Sequence, residues 1–129
     1  MSNHPSLHVS TVRIALANIR CATTPDESVA LAQAAIEQAS VEKAAIVGFP
    51  ECYVPGYRAP GRAVPPPDAA FLERAWSAIA ESAAAAKVAV VLGTERLVDG
   101  ASEVHKMVLA RFMREEGRDF WSWSAGNRI

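Results

Sequence analysis

Two cysteines in 129 residues, Cys21 and Cys52, are too few for a disulfide framework and too few for a zinc set. A reducing compartment is the simplest setting for such a chain. Charge of one sign is equally scarce: 13 Lys and Arg stand against 14 Asp and Glu, a formal net charge of −1 with a pI near 6.3. That balance lacks the basic footprint that nucleic acid or an anionic membrane surface requires. No run approaches the ~18 consecutive apolar residues of a membrane span. The opening ten residues have neither a basic stretch nor the apolar centre of a signal peptide. With half the residues hydrophobic and only 21% charged, the composition disfavours disorder as well. The length suits one domain able to bury about two-thirds of its unfolded surface. The expectations are a cytoplasmic protein with no nucleic-acid partner and no membrane partner.

The common phosphate cradles are missing too. Asn18 to Thr24 contains no glycine, so no dinucleotide-binding turn follows the first apolar segment. Gly56 and Gly61 are spaced like a P-loop, but Arg62 stands where its Lys belongs and Ala63 where its Ser or Thr belongs. Prolines follow where a helix should open to aim its amides at phosphate. His4, His8 and His105 are scattered, with no second ligand at helical or strand spacing. No cofactor and no metal are expected.

What is present is an alternation of strand and helix signals. From Thr11 to Ile19, Val12, Ile14 and Leu16 share one face and the other is mostly small or apolar, which reads as a strand buried on at least one side. Thr24, Pro25 and Glu27 supply a cap, a first-turn proline and a capping-box partner. Val29, Ala32, Ile36 and Ala39 then trace a helical stripe to about Val41. Ala44 to Phe49 is a short apolar run stopped by Pro50, hence a second strand, parallel to the first across a βαβ unit. Five prolines and two glycines between Glu51 and Pro67 make a loop long enough to be functional. Asp68 caps a second helix, Ala69 to Ala86, with Leu72, Trp76, Ile79 and Ala83 on its buried face. Lys87 to Gly93 reads as a central strand. Val104 to Met113 fits a strand or a short helix, with a turn at Glu115, Glu116 and Gly117, and the aromatic-rich end from Asp119 shows no periodicity.

Glu51 is the residue with the strongest chemical position. It lies just past the carboxyl end of an apolar strand, the edge where open parallel sheets gather ligands. Partial desolvation there would raise its pKa toward the range of a base useful near neutrality.

Phe49-Pro50-Glu51, followed by Val54-Pro55-Gly56-Tyr57, resembles the first catalytic motif of the nitrilase, or carbon–nitrogen hydrolase, superfamily. The strand from Val12 to Asn18 resembles the family's opening strand, and the segment from Val90 to Arg96 its next strand end. The resemblance covers about residues 11–100. It implies an α/β fold, the N-terminal half of a four-layer α-β-β-α sandwich. It also implies hydrolysis of a small-molecule nitrile or amide, in which a Glu takes the proton of a Cys thiol and a Lys steadies the developing oxyanion. On that pattern Glu51 is the catalytic general base and Tyr57 helps bind substrate. Glu95 is expected to be a structural carboxylate at a strand end.

The departures are as informative. The family's Lys and nucleophilic Cys lie beyond the third strand, yet no Lys follows Lys106 and no Cys follows Cys52. Lys106 comes too early and falls within the candidate strand. Cys52 adjoins Glu51, but neighbours in extended backbone point to opposite sides, so Cys52 and Cys21 read as packing thiols. The chain therefore divides into a flexible leader at 1–10, a partial hydrolase domain at 11–100 and a divergent tail at 101–129. A frame change or premature end in the gene would produce such a tail. By itself the chain is expected to be inactive and, with a sheet face uncovered, to form a homo-oligomer. The alternative is a non-catalytic interaction or dimerisation module derived from the same family.

Overall fold

The computed structural model describes residues 10–109 and 121–123, with side chains through Gly100. Five strands form one sheet: β1 (Ile14–Leu16), β2 (Ile46–Gly48), β3 (Ala89–Val98), β4 (Ala101–Leu109) and β5 (Trp121–Trp123). Helix α1 (Pro25–Val41) connects β1 to β2, and α2 (Ala69–Ala86) connects β2 to β3. The spatial order is β1-β2-β3-β4-β5, parallel from β1 to β3 and antiparallel thereafter. The expected parallel βαβ unit is thus present. The turn expected at Glu115 to Gly117 and most of the leader lie outside the described residues.

Both helices start as their sequences dictate. Thr24 Oγ1 accepts the Glu27 amide at 3.1 Å, and Asp68 Oδ1 accepts the Phe71 amide at 3.1 Å. Glu27 reaches one residue further back than a capping box requires, accepting from the Thr23 amide at 3.1 Å while bound to Arg20 at 2.6 Å. The helices lie side by side on one face of the sheet. Gln33 Nε2 donates to Ser82 Oγ at 3.0 Å, and Ser40 Oγ donates to the Ala86 carbonyl at 2.8 Å. Ile36, Leu72, Ile79, Val47, Val90 and Leu92 fill the space between helices and sheet. Burial of Leu72, Trp76, Ile79 and Ala83 matches the stripe expected for α2.

The register explains the other face. Ile14 pairs with Ile46, which pairs with Ala89, and Leu16 pairs with Gly48, which pairs with Val91. Side chains alternate along strands, so Val47, Val90 and Leu92 meet the helices while this second set points away from them. Val12, Ile14 and Leu16 are consequently 64%, 60% and 81% exposed. The buried side of the first strand is its small one, at Ala15 and Ala17, which suits the close approach of the helix layer. One helix layer and one sheet layer are present, with an apolar sheet face bare among the described residues.

β1 is shorter than the segment read as strand, Ile14–Leu16 against Thr11–Ile19, and two later strand boundaries also differ from expectation. β3 runs on to Val98 instead of ending near Gly93, and β4 begins at Ala101. Asp99 and Gly100, with φ of 49° and 78°, make the two-residue turn between them. Positive φ at both central positions is the hairpin conformation that matches strand twist. The segment at 104–109, open between strand and helix in the sequence, is strand. No described helix is long and apolar enough to cross a membrane.

Candidate active site

The site is built where β2 gives way to a turn. Phe49 still donates to the Val91 carbonyl at 2.9 Å, and Pro50 then ends the ladder. Residues 51–53 turn, with Cys52 at φ 47°, and Val54 returns to β3, its amide N–H donating a hydrogen bond to the Gly93 carbonyl at 3.3 Å. Glu51 thus lies past the strand end, as expected, and the backbone at Glu51 and Cys52 is a tight turn where an extended course was expected.

That turn forms part of the wall of a cavity of about 510 Å³. Ile19 and the stretch from Cys21 to Pro25, leading into α1, make one side. Pro50, Tyr53 and Pro55 make the floor, Glu51 stands at the rim, and Tyr57 with the stretch from Arg62 to Pro65 makes the far wall. Glu51 and Tyr57, separated in sequence by the turn from Cys52 to Gly56, thus line the same cavity. Tyr57 is 49% exposed. Glu51 is exposed too, so the desolvation expected of it is not supplied here: the turn lifts it to the cavity rim.

The neighbouring side chains are fixed more firmly. Tyr53 packs on Phe49 with ring centroids 5.7 Å apart, and its hydroxyl donates to the Arg20 carbonyl at 2.9 Å. It thereby joins the floor to the first wall, and burial pushes its phenol pKa up. Nothing in the sequence pattern singled out Tyr53, because its role depends on a partner 33 positions away.

Cys52 is buried, its Sγ 3.7 Å from the Thr94 carbonyl. Burial, then the charges of Glu95 and Glu51, push its pKa up to about 11 despite the opposing Arg58. A thiol so held is a protonated packing group, as expected. Trp76 Nε1 donates to Thr94 Oγ1 at 3.0 Å, carrying this buried polar cluster to α2.

Glu95 is completely buried within β3, not at its end, and is structural in the strong sense. Arg58 Nε and Nη2 donate to its two oxygens at 2.8 Å each, while Nη1 reaches the Val64 carbonyl at 3.3 Å. The bidentate contact holds the Arg58 pKa above its ordinary value. Arg58 had no sequence signal beyond its place in the loop.

Residues 13–110 match the family model for carbon-nitrogen hydrolase. The chain belongs to the carbon–nitrogen hydrolase family. The match takes in both strands flanking the turn, and with them Glu51, Tyr57 and the Arg58–Glu95 pair. No curated protein matches the sequence. Among solved structures, this carbon–nitrogen hydrolase chain is similar to the NitN amidase of Nesterenkonia sp. AN1, at 18% identity and TM-score 0.66, over 92% of this chain and 44% of that one. It is also similar to a variant of the amidase from that organism with acrylamide joined to the active-site cysteine, at 18% identity and TM-score 0.64, over 78% of this chain and 40% of that one. A glutamine-dependent NAD(+) synthetase from Cytophaga hutchinsonii shares 25% identity at TM-score 0.57, over 79% of this chain and 17% of that one. The amidase likenesses establish a shared fold over part of each structure. The chain spans less than half the length of each of these structures.

Proposed function

We propose that these residues form the base-bearing half of a carbon–nitrogen hydrolase site, in which Glu51 is the general base and the cavity beside it receives a small amide or nitrile. The observation behind this is the position of Glu51: at the carboxyl end of β2, on the rim of a cavity that Tyr57 also lines, within the family match. A carboxylate there could take the proton of an incoming thiol. Cys52 is the wrong thiol, buried and held protonated. With no later Cys and no Lys after Lys106, these 129 residues bind but do not turn over. A cytoplasmic setting belongs to the same proposal.

The test is titration of isotope-labelled chain with propionamide, benzamide and benzonitrile, alongside an ammonia-release assay. Shifts should concentrate at residues 19–25 and 50–65 and weaken at least fivefold in affinity in Glu51→Ala, without ammonia release. Binding indifferent to Glu51, or turnover that survives Glu51→Gln, would remove the base assignment.

A second proposal, an interaction or dimerisation module, is favoured by one specific feature. Val12, Ile14 and Leu16 give β1 an exposed apolar face of the kind that marks a contact surface.

A further inference from the structure

The far wall of the cavity has little holding it in place. From Tyr57 to Asp68 the chain has no helix or strand, and among the described residues the backbone bonds within this wall are local: Ala59 to the Tyr57 carbonyl and Arg62 to the Ala59 carbonyl, both at 3.1 Å. Neither bond ties the wall to the sheet. Arg58 does. Its guanidinium grips both oxygens of Glu95 on β3 and also reaches the Val64 carbonyl, so three of its nitrogens join the two limbs of the loop to one buried carboxylate. The side chain of Glu95 is fully buried and that of Arg58 is 26% exposed, so water competes poorly for the pair.

We propose that Arg58 and Glu95 act as a strut that sets the width of the ligand cavity, with Arg58 a positioning residue for whatever Tyr57 and Val64 touch. The fork geometry matters as much as the charge. A guanidinium presents several donors in one rigid plane, and a lysine ammonium in the same place could hold Glu95 without also holding Val64. The ligand's identity as an amide or nitrile rests on the function proposed above; the strut itself does not.

Tryptic cleavage after Arg62, on the exposed wall, reads wall opening directly. Glu95→Gln should accelerate that cut at least tenfold below the melting transition, and weaken benzamide binding at least tenfold. Leu72→Ala, in the core away from the strut, serves as a control with cleavage compared at equal distance below each variant's melting temperature. It should leave the cut near the wild-type rate. Arg58→Lys, which keeps the charge and the fold should Glu95→Gln fail to fold, should fall between wild type and Glu95→Gln. An unchanged cleavage rate in Glu95→Gln, or in Arg58→Lys if the former does not fold, overturns the strut. Equal acceleration in the strut and core variants overturns it as well, since that marks a general loss of stability. If wild type binds no amide or nitrile, the proposed function fails, while the cleavage comparison still decides the strut.

Discussion

Gly93 on β3 faces the Pro50 carbonyl with no space for a side chain. A Cβ at position 93 would overlap that oxygen and lie 2.8 Å from its carbon and 2.9 Å from the Cys52 amide nitrogen. Close contact between the turn and β3 is thus permitted by one missing methyl group. Gly93→Ala should cost about 2 to 3 kcal/mol, because the crowded atoms are backbone and cannot rotate aside. Urea denaturation measures the loss, and cavity binding should suffer with it because Pro50 and Glu51 are displaced.

Cys52 should behave as an inert thiol. With a pKa near 11, fewer than about one group in a thousand is ionised at pH 7.5, and the thiolate is the reactive form. Iodoacetamide should therefore modify exposed Cys21 first and reach Cys52 only on unfolding, as peptide mapping would show.

The same thiol makes a contribution to stability that depends on pH. Its folded pKa lies above the ordinary value, so the folded state holds the proton more tightly than the unfolded chain. The contribution is complete below about pH 8 and disappears as pH rises through 9 toward 11, a change of about 2 kcal/mol at most. Cys52→Ala lacks it. The stability difference between wild type and Cys52→Ala should accordingly shift by that amount, against wild type, between pH 8 and pH 11 in urea titrations.

Removing Arg58 alone should be worse than removing both partners of its ion pair. Arg58→Met takes the bidentate cationic partner from the buried Glu95 carboxylate and should cost about 3 kcal/mol. Arg58→Met combined with Glu95→Met should recover much of that stability while leaving the wall untethered. Melting curves of the two variants check the order.

The bare sheet face should make the chain associate. Sedimentation velocity is expected to show species larger than a monomer that grow with concentration, and Ile14→Lys with Leu16→Lys should shift them toward monomer. A wild-type chain that stays monomeric at every concentration would count against the dimerisation module.

The elements that sequence reading located well are those governed by local physics. Thr24 and Asp68 act as caps within three residues of themselves, and the α2 stripe from Leu72 to Ala83 follows one helical period. Glu51 and Tyr57 were legible through a motif, and both line the cavity. The Asp99-Gly100 turn was passed over, although it is a standard hairpin pair, because an apolar run ending at Gly93 drew the strand short. Glu95 was read as a structural carboxylate without its partner, and Arg58 and Tyr53 were not read at all, because these partners lie 33 to 37 positions apart and no periodicity encodes such a meeting. The exposure of Ile14 and Leu16 was hidden for a related reason: alternation defines two faces, and only the helices' position decides which one is covered.

From β1 through β5 each strand lies beside the one made just before it. A nascent chain can therefore lay every new strand against an edge that already exists, with a helix completed in the interval for the first two additions. Assembly from the ribosome outward requires no strand to be inserted between two earlier ones, so growth of the sheet and synthesis of the polypeptide proceed in the same direction.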